Sequence, residues 1–240
     1  MPRNTLHQID FRMETRLPVS VWLERVIRVV GLWVLSGASA SAVLSSQFED
    51  FSRPTTWTSG AVNPNPPLIV TDSGPEGDAD SALMISSSFV SGAGSRLAAY
   101  DKVTWVGNFT QAGVNLLRMD LRNSSAVAST MRVAVHGPGG WWVTPGHEMS
   151  LFSPWQQVEF DLRAESLLAA DGGGLAADTL ASVDEIRILH SSTVSFRGGT
   201  GERSVFVDNI QAVPEPSVMA WGLSWLFLLL RRRRVHPGSH

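Results

Sequence analysis

Cysteine is absent from this 240-residue chain. Its absence excludes a disulfide framework, a thiolate metal site and a cysteine nucleophile. If the protein is exported, core packing or bound ions must hold it together. No G-x-S-x-G, H-E-x-x-H or phosphate-binding loop occurs either. His147-Glu148 is a bare dipeptide with no second histidine. Glycoside hydrolysis needs two carboxylates across a cleft, which a sequence does not display. No catalytic residue is read from this chain, and the expectation is a non-enzyme, with a secreted hydrolase as the third reading. Long apolar runs are missing too. Val218 to Leu230 is 13 residues, short of the roughly 20 that span a bilayer core as a helix.

Charged residues are scarce, at 17%, and unevenly spread. Val43 to Val213 carries 10 basic against 18 acidic residues, a formal charge of −8. The near-neutral total arises because basic residues concentrate at the two ends. An acidic central region argues against nucleic acid. It suits divalent cations and neutral or cationic glycans.

Both ends read as targeting segments. Arg12, Arg16, Arg25 and Arg28 precede a short apolar core, Val29 to Leu35, and small residues at A-x-A spacing, Ala38/Ala40 or Ala40/Ala42. Residues 1–42 are therefore expected to be a signal peptide region, with a signal helix, directing export through the translocon. At the other end, Pro214-Glu215-Pro216 is stiff and extended, because proline fixes φ and removes donors. The short apolar run follows, expected as a helix. Four arginines, Arg231, Arg232, Arg233 and Arg234, close it. Such a cluster stays on the cytoplasmic side while the rest is exported.

Together, Pro214, Glu215, Pro216, the apolar run and the arginines resemble a PEP-CTERM sorting signal, over residues 214–240. Val235 to His240, which follow the arginines, are a departure from that pattern. The resemblance implies an exosortase-type transpeptidase as partner and cleavage near Pro-Glu-Pro. It also implies transient membrane anchoring, then a cell-surface or extracellular location among exopolysaccharide or biofilm matrix.

Residues 43–213 read as one all-β domain, a single β-sandwich or jelly roll. Leu68 to Val70, Ala82 to Ile85, Val114 to Arg122, Met131 to His136, Trp155 to Leu162, Val183 to His190 and Ser204 to Ile210 are the expected strands, several with period-2 alternation. Turn signals separate them, including Asn63 to Pro67, Ser73 to Gly77, Gly137 to Gly140 and Gly172 to Gly174. Ala164 to Ala170 is the one stretch expected to be helical, with a turn near Asp178 to Ser182.

Phe48-Glu49-Asp50-Phe51 with Trp57 resembles the opening strand of a carbohydrate-binding-module jelly roll. Val207-Asp208-Asn209-Ile210 is similar to the closing one. The resemblance implies a structural Ca²⁺ tying the first and last strands, held at Glu49 or Asp50 and Asp208. Asp72 and Asp80 contribute from their loop, where Asp78 and Asp80 beside Gly77 suit a chelating turn. Asp72 and Asp80 also suit turn residues that bond their own backbone. The second functional reading is a carbohydrate-binding module with a specific glycan ligand. Sugars stack on flat aromatic faces, so Trp105, Trp141 and Trp142 are its candidate ligand residues. Trp141 and Trp142 are strand neighbours and must point to opposite faces. Each of these tryptophans also suits a core.

Overall fold

The computed structural model describes residues 43–59, 65–90, 92–171 and 173–214. The signal region and the sorting residues Glu215, Pro216 and Arg231 to Arg234 lie outside them.

Two antiparallel sheets face each other. The first contains β1 (Phe48–Glu49), β2 (Leu68–Val70), β3 (Ala82–Ser87), β5 (Val114–Asn123), β9 (Gln156–Asp161) and β12 (Arg203–Pro214). Its order is β2-β3-β12-β5-β9, and β1 continues the line of β3 along the same edge of β12. The second contains β4 (Ala98–Asp101), β6 (Ser129–Gly137), β7 (Gly140–Val143), β8 (His147–Met149), β10 (Leu168–Asp171) and β11 (Glu185–His190). Its order is β10-β7-β6-β11-β4, and β8 continues β7 beside β6. Among the described residues, two short α-helices, α1 (Phe109–Ala112) and α2 (Ala176–Leu180), and a 3-10 turn at Ala93–Ser95 accompany the strands. This is the expected all-β sandwich.

The period-2 pattern explains the core. Leu117, Met119 and Leu121 of β5 are buried, while Arg118, Asp120 and Arg122 between them point away. Val205, Val207, Ile210 and Ala212 of β12 meet them along one face, and Val133, Val135, Ile186 and Ile188 close from the second sheet. At about 25 cal/mol per Å² of apolar surface removed from water, this layer is the dominant stabilising term.

Ala164 to Ala170 is not helical. Arg163 to Ser166 is a turn (Ser166 N–H to Arg163 C=O, 2.9 Å), and Leu168 to Asp171 pairs with β7. The free edge of β7 is the stronger partner, since an isolated seven-residue helix has too few hydrogen bonds to offset its nucleation cost. The helix is instead α2, where the sequence suggested a turn. Gly137 to Gly140 closes the β6–β7 hairpin, with Gly140 at φ 88°. A Cβ on Gly139 would meet the Leu175 carbonyl at 2.1 Å, so the α2 entry packs directly on that turn.

Candidate functional site

Strand registers sort the tryptophans. Trp105 is wholly buried, and its indole N–H donates to the Glu49 carboxylate at 2.6 Å. Trp57 donates to the same Glu49 oxygen at 2.9 Å, and the Thr55 hydroxyl donates to the other at 2.5 Å. Asp101, also fully buried, accepts the backbone N–H groups of Val103, Thr104 and Trp105 through one oxygen, and the Thr56 hydroxyl donates to the other. Trp105 and Glu49 thus form a buried polar clasp. The Trp105 face is closed to a sugar in this conformation.

Trp142 and Trp141 do point apart. Trp142 pairs with Val135, leans on the main core and donates its indole N–H to the Gly139 carbonyl at 3.0 Å. Trp141 lies on the outer face of the second sheet, within a satellite apolar cluster with Ala134, Val143 and Leu189. Phe196, from the loop after β11, lies flat on it, with centroids 4.7 Å apart and planes at 9°. His136 packs on it tilted, also at 4.7 Å. The Arg187 guanidinium is 4.1 Å from the Trp141 centroid, 5.3 Å from Tyr100 and 5.5 Å from Phe196.

Carboxylates hold these groups in place. Arg187 Nε donates to Glu185 at 2.6 Å, and Lys102 bridges Glu185 at 2.9 Å. Arg187 also donates to the Phe196 carbonyl at 3.0 Å, which ties the loop to the strand. His136 Nδ1 is 2.6 Å from Asp184. Burial pushes the Tyr100 hydroxyl above its ordinary pKa. The result is a strip across four neighbouring strands, β7-β6-β11-β4, and a loop. Tyr100, Arg187, Phe196 and His136 are half-exposed over a nearly covered Trp141. Such a strip offers flat faces and fixed donors and acceptors to a planar polar ligand.

Of this strip, the sequence reading found only Trp141. Arg187 was legible as the outward partner of Ile186 and Ile188, and Tyr100 as the chain's one tyrosine in a short Ala-Ala-Tyr-Asp run. Phe196 sits between serine, arginine and glycine in a loop, and no sequence signal brings it to Trp141.

Of the acidic candidates, Asp208 lies on the outer face of the first sheet, whereas Glu49 pairs with the core residue Ile210. Asp208 is fully buried, and its cross-strand partner is Asp120. One Asp208 oxygen accepts its neighbour Asn209's N–H at 2.7 Å, while Oδ2 has no hydrogen-bond partner. Burial above all, helped by the charges of Asp80, Asp120 and Asp50, raises Asp208 to about 7. Asn209, at φ 50°, donates to Asp120 at 2.9 Å. Asp72 accepts Ala79 N–H and Asp80 accepts Glu76 N–H, both at 2.8 Å, so the loop is laced to its own backbone.

The structure therefore brings Asp208 near Asp80 and Asp50. Glu49 is committed to the indoles and Asp72 to its own turn. Among the described residues, no three His, Asp or Glu side chains converge to hold a metal. The unpartnered Asp208 oxygen is the one observation here that a cation would answer, and the described carboxylates around it do not form a coordination set.

A cleft of about 340 Å³ lies elsewhere, between α1, the start of β5, Leu162 to Glu165 and α2. Its floor is apolar (Phe109, Val114, Leu162, Leu180), and it shares no residue with the strip.

No family model matches the chain. No curated protein matches it. Among solved structures it is similar to CtCBM11, at 19% identity and TM-score 0.50, over 73% of this chain and 98% of that one. An exo-β-agarase is similar at 14% identity and TM-score 0.50 over 72% of this chain. This chain spans only 25% of that enzyme. A family 11 carbohydrate-binding module from Clostridium thermocellum, in complex with a β-1,3-1,4-mixed-linked tetrasaccharide, has 15% identity and TM-score 0.47, over 72% and 98% of the two chains. At these identities the likeness is one of fold, the jelly roll of carbohydrate-binding modules.

Proposed function

We propose that residues 43–213 are a non-catalytic glycan-binding module, with the strip over Trp141 as its platform. The observation that carries this reading is the Arg187–Trp141–Phe196 stack, flanked by Tyr100 and His136 on an outer sheet face. A solvated sheet face has no structural need for five such groups in contact. The fold likeness to carbohydrate-binding modules supports it. The test is a titration of the full chain with soluble polysaccharides, following tryptophan emission. Binding that Phe196→Ala and Arg187→Ala each weaken supports the reading; binding indifferent to both sinks this strip as the site.

The setting proposed for this module is the cell surface or extracellular matrix. Export by an N-terminal signal and sorting by an exosortase-type transpeptidase at Pro214-Glu215-Pro216 would deliver it there, among exopolysaccharide. The composition of the two ends supports this. Replacing those three residues with alanines is expected to stop processing and retain the protein in the membrane; unchanged processing would remove the sorting reading. A Ca²⁺ at Asp208, with Asp50, Asp80 and Asp120 around it, is proposed as a structural staple between the first and last strands. When bound, the ion would supply positive charge to the orphaned oxygen.

A further inference from the structure

The strand registers gather four connections at one pole of the sandwich. Arg203 pairs with Ser87, Val205 with Asn123, Ser129 with Met149, and His190 with Met131. The segments that follow Ser87, Asn123, Met149 and His190 therefore leave the sheets on the same side. Backbone bonds join them there: Phe152 N–H to Ser125 C=O at 2.9 Å, Ser124 N–H to Ser204 C=O at 3.1 Å, and Gly201 N–H to Ser88 C=O at 3.2 Å. Val43 and Pro214 lie at the opposite pole, where Ser46 N–H bonds Ala212 C=O. The connection pole is not obstructed by either end of the described domain.

That pole exposes apolar side chains from all four segments. Phe89 is 80% exposed and Phe152 64%; Val90, Val127, Leu151 and Val194 are exposed beside them in sequence. Phe152 holds φ 46°, a left-handed conformation unfavourable for an aromatic residue. An exposed ring on strained backbone gains nothing from folding alone.

Charge separates this pole from the rest. Arg96, Arg122, Arg197 and Arg203 lie in or next to these segments with half-exposed or exposed side chains, and Arg132 lies buried there on the Ser191 and Thr144 carbonyls, with only Glu148 and Glu202 against them. The remainder of Val43 to Val213 carries 5 basic and 16 acidic residues. Leu44, Val103 and Leu175 are also exposed, but toward the opposite, acidic pole.

We propose that the Phe89/Phe152 pole docks on an anionic lipid surface, the rings entering between headgroups and the accessible Arg96, Arg197 and Arg203 facing phosphates. Apolar loop tips and basic residues contribute together to such binding. The other faces of the domain are repelled by the same surface, so the contact is oriented. It involves different residues from the glycan platform.

The chain's lack of cysteine gives the test. Ser192→Cys in the full chain carries one environment-sensitive fluorophore at this pole, and Asp178→Cys carries one at the far pole. Both positions are exposed. With phosphatidylglycerol vesicles, the Ser192 label is expected to shift to the blue, and the Asp178 label to stay unchanged. Phosphatidylcholine vesicles and high salt should remove the response. Phe89→Ser with Phe152→Ser, at exposed positions that folding does not require, should weaken the apparent affinity by about ten-fold or more. A silent Ser192 label overturns the proposal, as does an equal response to phosphatidylcholine. So does a shift that follows protein concentration without lipid, which would make a second copy the occupant.

Discussion

Phe196 lies flat against Trp141 at 4.7 Å, although 55 residues of sequence separate them. The contact converts a buried strand tryptophan into the base of a partly exposed stack, with Arg187 over its ring at 4.1 Å. An aromatic pair contributes about 0.5–1.5 kcal/mol beyond its buried area. Phe196→Ala is therefore expected to lower glycan affinity by about ten-fold. It should also lower the unfolding free energy by about 0.5–1.5 kcal/mol, the stacking that the variant loses. Calorimetric titration alongside urea unfolding checks both.

Arg187 does what lysine would not. Its planar group lies near three rings and reaches both Glu185 and the Phe196 carbonyl. Arg187→Lys is expected to loosen the Phe196 loop and to weaken glycan binding almost as much as Arg187→Ala, since a point charge loses the fork geometry. Faster hydrogen exchange across residues 191–199, with β6 unaffected, is the measurement.

Glu49 secures the clasp of Trp57 and Trp105. Glu49→Ala leaves two indole N–H groups without an acceptor, one wholly buried. Each orphaned donor costs about 1–3 kcal/mol. A loss of about 2–4 kcal/mol in urea unfolding is expected, with altered tryptophan emission. Glu49→Gln keeps one oxygen and should lose less.

Asp208 links stability to pH. Its folded-state pKa is raised to about 7 by burial, above an unfolded value of about 4. The folded state therefore binds a proton that the unfolded state has released between about pH 4 and 7, so stability falls as pH rises through that window and is level above it. Asp208→Asn should flatten the fall. Ca²⁺ binding needs the ionised form, so Ca²⁺ should raise the thermal midpoint of the parent at pH 8 and not at pH 4.5, and should not raise that of the asparagine variant at either. Thermal melts with Ca²⁺ or EDTA decide this.

The sandwich was legible because alternation decides burial. Leu117, Met119 and Leu121 against Arg118, Asp120 and Arg122 specify one buried face whatever the partner strand. The β10 edge was not legible: Leu168-Ala169-Ala170 has good helix formers, and only the open side of β7 makes it a strand. The site was half legible for the same reason. Strand parity separates Trp141 from Trp142 and turns Arg187 outward. Loop contacts such as Phe196 on Trp141, or Asp80 near Asp208, depend on closures that no local pattern records. Trp105 near a turn read as a surface candidate, yet Glu49, 56 residues away, holds it inside.

The most direct test of the central claim is an isotherm for the full chain with a panel of soluble neutral and anionic polysaccharides, read by tryptophan emission and repeated with Arg187→Ala. The account predicts saturable binding to at least one polysaccharide, lost or weakened about ten-fold in the variant. No saturable response across the panel, or equal binding by parent and variant, would contradict it.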